Sequence, residues 1–145
     1  WTVAHFFYSD SYTDSSTNIR PLINNDNDVS GTFFVCIRSS GKLCLHMRGG
    51  SVVESENALT PGWHHIRVTH VGNGVLRAYL DGEFILTVNK FSRTTESMCI
   101  GQFVQHNDNT RQFTGNIDGI EFFEIDEERI SEYTGSSAPV PEKPF

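Results

Sequence analysis

Short runs of Phe, Val, Ile, Leu and Tyr recur along the chain between clusters of Gly, Asn, Asp, Ser and Pro, and apolar spacing of the helical kind is nearly absent. The pattern predicts nine strands, over residues 3–8, 19–23, 32–38, 42–48, 63–71, 75–80, 83–88, 98–104 and 117–125. Short strands at this spacing predict an all-β fold, a two-sheet antiparallel β-sandwich of the jelly-roll kind. One helical turn is expected, over residues 126–133, after the last strand. From Gly135 the sequence carries three of the five prolines and no burial pattern. Residues 1–134 therefore read as the domain and 135–145 as a Pro/Ser-rich linker, which suggests a part of a longer protein.

Two turns set the register. Asp81-Gly82 joins strands 75–80 and 83–88 and supplies the residue pair that a two-residue hairpin with positive φ at both central positions prefers. Ser39-Ser40-Gly41 fits a three-residue hairpin with Gly in the left-handed position. That second turn puts Phe33, Val35, Ile37, Leu43, Leu45 and Met47 on one face, the core. The opposite face then carries Phe34, Cys36, Arg38, Lys42, Cys44, His46 and Arg48, and is expected to meet solvent or a polar partner. On this register Leu45→Ala should cost about 2–5 kcal/mol and Arg48→Ala no more than about 0.5 kcal/mol.

The chain has 145 residues, enough to bury a core without a metal or disulfide staple. Its net charge of −7 argues against nucleic acid, whose binding rests on Lys and Arg neutralising phosphates. No apolar run approaches the roughly 20 residues of a membrane helix, so no membrane insertion is expected. The acidity is local: residues 118–132 hold seven acids and one base and account for −6 of the total. A run of this kind is read as a solvated edge.

The segments Pro61-Gly62-Trp63-His64-His65 and Tyr79-Leu80-Asp81-Gly82, with the closing run Gly115-Asn116-Ile117-Asp118-Gly119-Ile120-Glu121-Phe122-Phe123, resemble laminin-G-like and concanavalin-A-like lectin domains. The resemblance extends from Phe6-Phe7 to Gly135 and implies their jelly roll; fold alone does not imply function. Leu43-Cys44-Leu45-His46-Met47-Arg48-Gly49-Gly50, Trp63 after Pro-Gly, and Cys99-Ile100-Gly101 are similar to the sialic-acid-binding modules that accompany bacterial sialidases. Where those modules offer a second arginine after Ile-Gly, this chain reads Gln102-Phe103-Val104-Gln105-His106, and Arg111 is the cation available in the same loop.

Catalytic motifs give little. Glu124-Ile125-Asp126-Glu127-Glu128 echoes the paired carboxylates of laminarinase-like hydrolases, but it follows the last strand instead of lining a cleft. No nucleophile elbow, zinc-protease helix or phosphate loop occurs. His64 and His70 alternate to one face and His65 to the other, so they cannot converge on one metal. The loops Asn24-Asn25-Asp26-Asn27-Asp28 and Asn107-Asp108-Asn109 hold the oxygen ligands that Ca²⁺ takes, with Asp26, Asp28 and Asp108 as its carboxylates; Asn and Asp also build turns, and that reading is preferred. Cys36 and Cys44 fall opposite each other with Cys99 left over, a count that favours reduced thiols filling space, although an oxidising compartment would permit a bridge.

The sequence thus points to a non-catalytic binding module for a glycan or glycoprotein, acidic and sialic-acid-like on the resemblance, with other domains of a parent protein as further partners. Phe34, Arg38, His46, Arg48 and Arg111 are the candidate ligand-binding residues, because a sugar ring packs on an aromatic while planar Arg groups take a carboxylate. No cofactor is required. The competing reading is a protein-interaction or spacer domain that binds no sugar.

Overall fold

A computed structural model describes residues 1–13, 19–26, 28–92, 97–103, 111–124, 137 and 140–142. Its strands, in chain order, are β1 (Thr2–Ser9), β2 (Ile19–Asn24), β3 (Phe33–Arg38), β4 (Lys42–Met47), β5 (Val52–Ala58), β6 (Gly62–His70), β7 (Leu76–Leu80), β8 (Glu83–Val88), β9 (Cys99–Ile100) and β10 (Asn116–Phe123). They form two five-stranded sheets, ordered β10-β1-β6-β7-β8 and β5-β4-β3-β2-β9, and every pairing is antiparallel. No helix occurs among the described residues, and the helical turn expected at 126–133 lies outside them.

Both turns stand as the sequence predicts. Asp81 and Gly82 have φ of 51° and 86°, and Gly41, φ 80°, closes the β3–β4 hairpin with its amide donating to the Arg38 carbonyl. Phe33 faces Met47, Val35 faces Leu45 and Ile37 faces Leu43, all fully buried between the sheets with Ile66, Val68, Leu76 and Ala78 of the other sheet. Burying these branched and aromatic side chains from two facing sheets is what holds the sandwich closed.

The Asp-Gly turn has a second task. Asp81 Oδ1 accepts the His65 amide at 2.8 Å, Asp81 Oδ2 accepts from His64 Nδ1 at 2.6 Å, and the Asp81 amide donates back to the His65 carbonyl. The Trp-His strand start and the Asp-Gly turn are therefore one brace, which joins β6 to the β7–β8 hairpin. His64 packs inward on Phe7 and Tyr12 while His65 packs outward on Phe6, as alternation requires.

Two strands differ from the sequence reading. β5 was not expected: Val-Val-Glu-Ser-Glu-Asn-Ala has almost no apolar alternation, because it is an edge strand exposed over most of its length. β9 is two residues long, much shorter than the predicted 98–104. Ser137, inside the expected linker, bridges Glu83 of β8.

Candidate functional site

The outward face of the β5-β4-β3-β2-β9 sheet carries most of the candidate residues, because β3 and β4 alternate in register. Phe34 lies opposite His46, Cys36 opposite Cys44, and His46 in turn opposite Val52 of β5. The face was expected to be open, yet Phe34 is only 3% exposed. The ring of Phe103 covers it, edge-on at 5.3 Å between centroids, and Ile19 packs alongside over Cys36 and Cys44. Asn24 fixes that cover: its side-chain amide donates to the Gln102 carbonyl at 2.6 Å.

At one end of the face stands a built cluster. The Arg48 guanidinium sits 5.5 Å over the Phe34 ring, and the His46 ring meets Phe34 edge-on at 4.5 Å. Arg48 Nε donates to Asp26 at 3.0 Å and Arg48 Nη2 to Asp26 at 2.8 Å and to Asp28 at 2.5 Å. Asp26 is itself buried, and its Oδ1 also accepts from the Asp28 amide and the Thr32 hydroxyl. These contacts raise Arg48 above the ordinary guanidinium range, the Asp26 hydrogen bond first. The side chain stays 32% exposed, and among the described residues its Nη1 takes no partner. His46 makes no hydrogen bond among the described residues either; burial first, then the charges of Arg48 and Arg38, lower its pKa and keep the ring neutral at pH 7.

The remaining candidates stand apart. Arg38 lies four positions from Phe34, about 13 Å along the strand, and pairs with Glu54 of β5 at 3.2 Å. Arg111 is exposed beside Gln112, which bridges Gln102. The structure therefore brings Phe34, His46 and Arg48 together and places Arg38 at the far end of the same face. Two features escaped the sequence reading. Asp26 and Asp28, read as turn formers or calcium ligands, turn their carboxylates on Arg48; Asp108 lies outside the described residues. Val52, 49% exposed beside His46, was missed with its strand. The available signal for the first was topology: an Asn/Asp loop leading into β3 lies at the same end of the sheet as the residue that follows β4.

A separate cleft of about 490 Å³ opens near the end of β1, lined by Tyr8, Asp10, Ser11, Arg20, Thr114 and Asn116 among others, and none of the five candidate residues borders it. Arg20 is buried there, donating to the Ser11 and Tyr12 carbonyls.

The fold has many counterparts among solved structures. The chain is similar to the sialidase carbohydrate-binding module CBM40 of Ruminococcus gnavus, with 15% identity and a TM-score of 0.59 over 90% of this chain and 80% of that one. It is also similar to domains LG4-5 of the mouse laminin alpha1 chain, with 14% identity and a TM-score of 0.57 over 97% of this chain, which spans 41% of that fragment. A heptameric pentraxin of Limulus polyphemus matches at 13% identity and a TM-score of 0.56, over 92% of this chain and 69% of that one. At these identities the likeness shows the fold alone. No curated protein matches the sequence. A family model described as the concanavalin A-like lectin/glucanases superfamily matches residues 1–126, and with the two-sheet sandwich and its braced Trp-His and Asp-Gly landmarks the chain belongs to that superfamily, in its laminin-G-like form.

Proposed function

We propose that this domain is a non-catalytic module that binds an acidic glycan on the outward face of the β5-β4-β3-β2-β9 sheet, with His46 and Arg48 at its centre, the buried Phe34 ring beneath them as their support, and Arg38 and Arg111 at its margins. The observation that carries the reading is the Arg48 cluster: Asp26 and Asp28 fix the guanidinium over Phe34 and leave Nη1 toward solvent, next to a neutral imidazole with no hydrogen-bond partner among the described residues. A guanidinium N–H held in place, its charge offset by Asp26 and Asp28, and a neutral donor–acceptor imidazole side by side suit a ligand carboxylate or hydroxyl oxygen through directed hydrogen bonds. Val52 adds an exposed apolar surface for a ring face. A solved relative in fold, the Ruminococcus gnavus module, has been captured with alpha2,3 sialyllactose, which supports testing sialylated ligands first. A glycan array probed with the whole chain tests the proposal; binding confined to acidic glycans supports it, and a blank array across acidic and neutral glycans favours the interaction-domain reading.

One observation favours that second reading. Ile120 and Phe122 on β10, an edge strand among the described residues, are 60% and 62% exposed. Acids follow on the same strand and beyond it, so the partner that fits is an extended protein segment alternating apolar and basic residues, added at the sheet edge. Loss of partner capture in Ile120→Lys, with glycan binding unchanged, would assign the activity to this edge.

A further inference from the structure

We propose that Cys36 and Cys44 form a reversible dithiol–disulfide site, a cross-strand pair that a low-molecular-weight disulfide can close. The two residues are direct partners in the β3–β4 register, and both thiols are free and completely buried. Directly opposite residues of an antiparallel pair have Cα atoms about 4.5–5.5 Å apart, within the span a disulfide bridges. Arg38 stands on the same face, two positions beyond Cys36 on β3.

The two sulfurs are not equivalent. The neighbouring Cys36 first, and then, against burial, the charge of Arg38, lower Cys44 below the ordinary thiol value. Cys36 is pushed well up by its neighbour Cys44 and by burial. The Arg38 charge beside Cys44 favours it as the first thiolate, and the exchange balances equally with the two roles reversed. Cys44 thiolate attacks one sulfur of the small disulfide, whose S–S bond breaks and releases one small thiolate. Cys36 then gives up its proton and attacks the Cys44 sulfur, expelling the second small thiolate. Two protein thiols are oxidised and one disulfide is reduced to two thiols, so electrons and protons balance. Phe34, Phe103 and Ile19 cover the pair, and the reagent reaches it when that cover opens.

The test equilibrates the reduced chain with graded ratios of oxidised to reduced glutathione, with and without urea below the unfolding range. Remaining thiols are then alkylated and the product is mapped by mass. The expected product has lost two hydrogen masses, carries the bridge between Cys36 and Cys44, keeps Cys99 alkylatable, and melts at a higher temperature than the reduced chain because a short loop is closed. Cys99→Ser should close in the same way, and Cys36→Ser should stop at a glutathione adduct on Cys44. Full alkylation of every cysteine under excess oxidant in both conditions, a bridge that includes Cys99, a persistent adduct on the unmutated pair, or a closed form that melts lower would each overturn the proposal.

Discussion

Removing the Arg48 guanidinium would leave the Asp26 carboxylate buried without its cation, so Arg48→Ala is expected to cost about 2–3 kcal/mol in urea denaturation. Register alone led to a smaller expectation, since it shows that Arg48 points outward but not that a loop from another strand has buried an anion beneath it. A measured change within about 0.5 kcal/mol would mean that Asp26 is free to relax into solvent. Leu45→Ala, by contrast, should cost about 2–5 kcal/mol, as both readings require of a fully buried side chain. His46→Ala should stay within about 1 kcal/mol, because it breaks no hydrogen bond among the described residues, and it is the better probe of the face. Histidines also set the acid response. Burial first, then the charges of Arg67 and His5, lower His65 to about 4 from an ordinary 6.5, and burial lowers His5 and His70 as well. Between pH 6.5 and about 4 the unfolded chain therefore binds protons that folded His65 refuses, and stability falls as pH drops through that window. Melting scans from pH 7.5 to 4.5 should show a steady decline in Tm, less steep in a folded His65→Gln variant.

At the scale of elements, the β6–β7–β8 unit depends on the Asp81 brace. Burial would raise Asp81, but hydrogen bonds from His64 and the His65 amide outweigh it and hold the carboxyl below its ordinary 3.8. That contribution is present above pH 3.8 and is lost as pH falls through the lowered value, so it adds to the acid instability only at the bottom of the range. Asp81→Ala should cost about 1–3 kcal/mol by orphaning the His65 amide at the strand start. A cost near zero would show that the turn needs only its glycine. The same element explains why so much was legible: positive-φ turn residues and alternating apolar residues are local signals, and they fixed the β3–β4 and β7–β8 hairpins. β5 was not legible because an edge strand needs no apolar pattern, only the backbone of β4 beside it.

For the molecule as a whole, strand pattern and landmark residues carried the sandwich, while the surface chemistry was only half readable. Phe34, His46 and Arg48 could be placed on one face from the turn, but the burial of Phe34 under Phe103 and the tie of Arg48 to Asp26 depend on chain segments meeting from far apart in sequence. The central claim is that this face recognises an acidic sugar. Calorimetric titration of sialyllactose and of lactose into the wild-type chain and into His46→Ala tests it most directly. The account predicts binding of the sialylated ligand alone, weakened about tenfold or more in His46→Ala, with the variant's Tm little changed. Equal binding of both sugars, or sialyllactose binding that His46→Ala leaves intact, would contradict it.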